Sequence, residues 1–211
     1  VFATCSGGIV TAMALAHLKA QGELDQVSGL ALAVAVLEQD HAGLATAALN
    51  ENTAKAAIAV SAARGYLDGR HLAEAFAWLR PNDLIWSYWV NNYLLGNRPP
   101  AYDVLAWNAD TTRMPARMHH EYLTSLYLHN ALATSSYRVE DHTVSLSDIH
   151  QPVFMVGTQR DHISPWRSVY KLHHLCGAEI TFVLASGGHN AGIISEPGHP
   201  HRSFQSAIRP A

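Results

Sequence analysis

The chain has 211 residues, 48% of them hydrophobic, enough for one sizeable core with room for an inserted cap. Its formal net charge of -3 argues against a general binder of nucleic acid or anionic membranes, and no apolar run is long enough to span a bilayer. Two cysteines, Cys5 and Cys176, make no disulfide scaffold, and a reduced cytoplasmic setting suits a catalytic thiol.

The first element carries the most chemistry. The run Val1-Phe2-Ala3-Thr4 ends at Cys5, Ser6-Gly7-Gly8 follow, and a helical pattern opens with Ile9, Val10, Met13, Ala14 and Leu18. Strand, tight turn with a nucleophile, then helix is the nucleophile elbow of the α/β-hydrolase architecture. Ala3 and Gly7 are the small residues flanking the nucleophile, and the helix N-terminus beside Cys5 favours the thiolate. A buried cysteine before a glycine turn is the plain alternative. The chain opens inside this strand and without Met, which reads as part of a longer polypeptide whose earlier strands pair beside Val1–Thr4.

The helix is expected to run to about Ala20, with Gly22 as its stop. Val27 to Leu37 is almost continuously apolar, as in a parallel strand covered on both faces. From about Gln39 to Asn130 the pattern turns helical. Leu49 to Ala63 is Ala-rich and stops at Gly65. Asp68 is placed to cap a helix that Pro81 ends, Asn82 to cap another that Gly96 stops, and Pro115 to open a third. A helical block between β/α units reads as a lid, giving a core at 1–38, a lid at 39–145 and a second core part at 146–211. The block's aromatics, Trp78, Trp86, Tyr88, Trp89, Tyr93 and Trp107, are expected to serve packing. Gln151–Gly157 and Ile180–Leu184 are further strands, Pro165 opens a helix, and Ile208–Ala211 ends without a closing element.

Two loops complete the constellation. Asp161 lies just past one strand end and His189 sits in the glycine-rich loop after the next. Nucleophile, acid, histidine is the chain order of an α/β-hydrolase. Asp161 alone could merely order its turn, but the three together point to catalysis. A thiolate attacking an acyl thioester trades one thioester for another, so the acyl group stays activated for a hydroxyl; this suits an acyltransferase. His189 serves as general base, Asp161 either orients it or helps the incoming hydroxyl, and the Ser6 backbone N–H is a candidate oxyanion donor. The histidine pairs His119-His120 and His173-His174, with His199 and His201, lack ligand spacing for a metal and are expected at the surface.

Cys5-Ser6-Gly7-Gly8 resembles the lipase-like box of polyhydroxyalkanoate synthases, with Ala3 where that family usually has Gly. Tyr66-Leu67-Asp68-Gly69, Leu79-Arg80-Pro81-Asn82-Asp83-Leu84-Ile85-Trp86, Val90–Gly96 and Trp107–Pro115 resemble its lid. Asp161-His162-Ile163 with Pro165, and Gly188-His189 with Ala191-Gly192, resemble its aspartate and histidine motifs. The resemblance implies an enzyme that polymerises (R)-3-hydroxyacyl-CoA into a polyester with release of CoA, using Cys5, Asp161 and His189. It further implies a homodimer at the surface of a cytoplasmic granule, without metal or redox cofactor. His162 and Asn190 are candidate pocket positions, Asn190 standing where many relatives carry an apolar residue. Chain-length preference stays open, since the cysteine box is similar to medium-chain synthases and the histidine motif to short-chain ones. The rival readings are a Cys hydrolase or thioesterase and an inert granule-coat domain.

Overall fold

Segments apolar on both faces pair in the interior of a sheet, and the two such segments here do so. The computed structural model describes residues 1–40, 49–99, 101, 103–190 and 192–211, with the backbone alone for Val104, Leu105 and Asn108. Of the expected lid, residues 41–48, 100 and 102 lie outside the described residues, as does Ala191 of the histidine motif. Two compact units are found: Val1–Asn50 with Thr124–Ala211, and Glu51–Leu123.

In the first unit, β1 (Phe2–Thr4), β2 (Leu30–Ala33), β3 (Val153–Thr158), β4 (Ile180–Ala185) and β5 (Phe204–Arg209) form one sheet in that order. The first four strands are parallel and β5 runs antiparallel to β4. Ala3, Leu32, Met155 and Phe182 share one row of the register, all buried. Helix α1 (Ser6–Gln21) packs on this face, and the helix Trp166–Tyr170 meets it at Gly157. Where sequence suggested helices on both faces, the neighbouring row is open: Phe2 is 70% exposed, Phe154 47% and Ile208 67%.

Several boundaries follow the expected chemistry. Gly22 ends α1 in the left-handed region at φ 75°, where cap N–H groups donate to the Leu18 and Lys19 carbonyls. Strand β2 is shorter than the apolar run that contains it, because Val34 turns to φ 50°. Residues Val34 to Leu37 stay buried all the same. The C-terminal residues, expected to close on nothing, form β5. Arg209 fastens it by donating to the carbonyls of His173, Cys176 and Ala178. His173, expected at the surface, is buried, its Nδ1 against the Tyr170 carbonyl at 2.8 Å.

The second unit holds the helices Glu51–Arg64, Gly69–Leu79, Asp103–Ala109 and Ala116–Glu121. Asp68 caps the second by accepting from the Arg70 N–H at 3.0 Å. Asn82 caps nothing. Pro81 takes the cap position, and 82–86 and 89–94 are wound with wide π turns instead. The aromatics expected in the interior are exposed, Trp107 by 75% and Tyr93 by 71%. The buried positions of these helices are small or polar, Ala54, Ser61, Gly69 and His119, so their aromatic sides are left outward. His119 is thus another histidine that is not at the surface. Its Nδ1 lies 2.9 Å from Ser61 Oγ, whose hydroxyl donates to the Ile58 carbonyl at 3.0 Å, so the ring is the donor at Nδ1.

Two outcomes follow. A Cβ at Gly8 would lie 2.4 Å from the Ala35 Cβ, whereas one at Gly7 would make an ordinary 4.0 Å contact with Ala3. Gly8→Ala should therefore lose about 1–3 kcal/mol by overpacking while Gly7→Ala stays within about 1 kcal/mol, by chemical denaturation of the full-length protein. Burial, with His120 nearby, holds the His119 pKa below its ordinary 6.5. Below pH 6.5 the unfolded chain gains a proton that the folded chain resists, so stability complete above that pH is lost as the pH falls. His119→Gln should flatten this acid loss between pH 7.5 and 5.5; an unchanged slope would assign the loss elsewhere.

Candidate active site

The strand-to-helix turn forces Cys5 into an unusual backbone, φ 49° and ψ -128°. Such a conformation at a side-chain-bearing residue costs about 1–3 kcal/mol and persists only where its surroundings impose it. Here the Cys5 N–H donates to the Ala33 carbonyl at 2.9 Å, and the Cys5 carbonyl accepts from Gly8 at 3.0 Å. The small residue that lets helix and strand approach is Gly8, since Gly7 has room for a side chain.

Asp161 follows β3. Its carboxylate is wholly inaccessible and accepts four hydrogen bonds. Oδ1 takes the N–H groups of Ile163 (2.9 Å) and Ser164 (2.8 Å). Oδ2 takes the Thr158 hydroxyl (3.3 Å) and His189 Nδ1 (2.8 Å). The turn reading and the catalytic reading of Asp161 are therefore compatible, one oxygen serving each.

His189 lies in the loop after β4, opened by Gly187 at φ 120°, with 13% of its side chain exposed. With Nδ1 on Asp161, Nε2 is left for the Cys5 thiol, and the two groups interact electrostatically. Burial works against its charge, but the hydrogen bonds to Asp161 and Cys5 prevail and push the pKa up to about 9. For Cys5, burial opposes the thiolate. The hydrogen bond and charge of His189 outweigh it, helped by the Ser6 hydroxyl, 3.8 Å from Sγ, and the Ser6 N–H, and bring the thiol below its ordinary value. The two shifts run in opposite directions, each favouring the charged form of one partner beside the charged form of the other.

The structure thus brings Cys5, Asp161, His189 and the Ser6 N–H together. His162 is half-buried directly after Asp161. Asn190 is exposed, and its carbonyl accepts from the N–H groups of Ile193 and Ile194. Sequence reasoning missed Thr158, whose one signal was a hydroxyl at the end of an otherwise apolar strand. It also missed the tie between the histidine loop and the chain before β5, where Ser186 N–H donates to the Ser203 carbonyl (2.8 Å) and Ser203 N–H to Ser186 Oγ (2.9 Å).

Comparison with known proteins adds a family and relatives. The family model described as alpha/beta hydrolase fold matches residues 1–195. Poly(3-hydroxyalkanoate) polymerase 1 of Ectopseudomonas oleovorans is 40% identical over 207 residues, covering 98% of this chain and 37% of the relative. Poly(3-hydroxyalkanoate) polymerase 2 of the same organism is 42% identical over 196 residues, covering 93% and 35%. Poly(3-hydroxyalkanoate) polymerase of Methylorubrum extorquens is 42% identical over 194 residues, covering 92% and 32%. The chain spans about a third of the length of these relatives.

The two cysteines should behave as opposites. Cys176 is 6% exposed, and burial pushes its thiol up. Iodoacetamide should alkylate Cys5 well ahead of Cys176 at pH 7, while Cys176 reacts slowly even at pH 9. His189→Gln should move the Cys5 profile to higher pH, because the imidazolium that holds the thiolate is gone. Peptide mapping after timed alkylation reads all three; labelling of Cys176 ahead of Cys5 would contradict this electrostatic description.

Proposed function

Because this chain belongs to the alpha/beta hydrolase family and is homologous over nearly its whole length to part of the poly(3-hydroxyalkanoate) polymerases, we propose that it is the catalytic region of such a polymerase. What supports the reading is a thiol, not a hydroxyl, at the elbow, coupled electrostatically to a histidine that a buried carboxylate holds. The substrate would be (R)-3-hydroxyacyl-CoA and the product a polyester. A homodimer at a cytoplasmic granule surface, and a lid role for the helical unit, belong to the same proposal.

The proposed cycle begins with the Cys5 thiolate attacking the thioester carbonyl, forming a carbon–sulfur bond and an oxyanion beside the Ser6 N–H. Collapse breaks the bond to the CoA sulfur, which leaves with the proton of the His189 imidazolium as free CoA thiol. The acyl group is now a thioester on Cys5 and His189 is neutral. The 3-hydroxyl of the next unit then loses its proton to His189 Nε2 as its oxygen attacks that thioester. An ester forms, the Cys5 thiolate departs, and the thiolate–imidazolium pair is restored. Cys in place of Ser keeps the acyl group activated for a weak nucleophile.

We assign Asp161 to orienting His189. All of its acceptor sites carry donors and none of its side-chain surface is accessible, which leaves no lone pair for an incoming hydroxyl. Asp161→Asn should then slow acylation and elongation alike, by roughly a thousandfold or more, in single-turnover measurements of CoA release against polymer growth. Loss of elongation alone would give Asp161 the second role.

The test of the function is direct. Full-length protein incubated with 3-hydroxybutyryl-CoA should yield CoA and polymer, and Cys5→Ala or His189→Gln should yield neither. Free hydroxy acid as the product would make the protein a thioesterase instead.

A further inference from the structure

Thr158 is the last residue of β3 and has no accessible surface. It lies on the same side of the strand as Phe154, which is 47% exposed, so the sheet alone does not bury it. The histidine loop does. A Cβ at Gly192 would come within 2.4 Å of Thr158 Cγ2 and 2.6 Å of the Gly188 carbonyl, and the Gly192 N–H donates to that carbonyl at 2.9 Å. The loop is thus closed into a turn that rests on the threonine methyl. On the other branch of the same side chain, the hydroxyl donates to Asp161 Oδ2, the oxygen that receives His189 Nδ1.

A strand of Val153, Phe154, Met155 and Val156 would accept valine at this position sterically. A buried hydroxyl is costly unless bonded, and the bond here goes to a carboxylate. The two backbone donors hold only Oδ1 and leave Oδ2 free to swing about that anchor. The hydroxyl limits the swing, and the methyl fixes the loop whose imidazole must meet Oδ2.

We propose that Thr158 is a positioning residue for the site: through its hydroxyl it holds Asp161 Oδ2 where His189 Nδ1 can bond it, and so fixes the imidazole beside Cys5. The proposal rests on the cysteine-centred reading of the site but not on the identity of the acyl substrate.

The test is alkylation of Cys5 by iodoacetamide across pH in the full-length protein, which needs no acyl substrate and stays readable whatever the polymerase assay returns. Thr158→Val keeps the methyl and removes the donor; the rate at pH 7 should fall about tenfold and the profile should move to higher pH. Thr158→Ser keeps the donor and should retain the native profile. Thr158→Ala against Thr158→Ser isolates the hydroxyl with the same missing methyl, and serves if the valine variant does not fold. A native profile in Thr158→Val, or in Thr158→Ala, would overturn the proposal. Equal displacement in Thr158→Ser and Thr158→Ala would do so too, leaving the residue a packing role only.

Discussion

Parallel pairing brings the carboxyl ends of neighbouring strands to one edge of the sheet, and the site depends on that alignment more than on any single contact. Cys5 follows β1, Asp161 follows β3 and His189 follows β4, so three residues far apart in sequence meet because their strands share a register. The ladder continues into the site itself, since the Cys5 N–H bonds the Ala33 carbonyl as the next rung after Thr4. Side chains supply the chemistry; backbone hydrogen bonds supply the coordinates.

Once aligned, the three groups are coupled electrostatically. Burial would disfavour both a thiolate and an imidazolium taken singly, but each is the other's counter-charge, and the Asp161 carboxylate supports the cation from behind. Asp161 is stabilised in turn by four donors, two of them backbone N–H groups from its own turn. The charge is therefore spread along a chain of partners, with the Cys5 sulfur at its outer end.

How much of this was legible in sequence divides along physical lines. Local backbone chemistry was readable: the elbow, the left-handed stop at Gly22 and the cap at Asp68 are set by residues within a few positions of one another. The placement of Cys5, Asp161 and His189 just after strands was readable because loop position after a strand is a local property too. Environment was not. Whether Trp107, Tyr93, His119 or His173 is buried depends on which helix face finds a neighbour, and hydropathy carries no record of the neighbour. The pattern also could not show that Val34 would turn out of the strand, or that the run before Pro210 would find a place beside β4. Thr158 was passed over because its role lies in two contacts, one to a turn and one to a loop, neither adjacent to it in the pattern.

The strained turn at Cys5 bears on how such a protein can change over generations. Glycine is the residue that adopts φ 49° without penalty, so the substitution that would most relax this backbone is also the one that deletes the proposed nucleophile. Under the proposed function, heat tolerance and chemistry pull residue 5 in opposite directions. A population screened for robustness alone would drift toward a sturdier and inert scaffold, and the cysteine would survive only where turnover is selected at the same time.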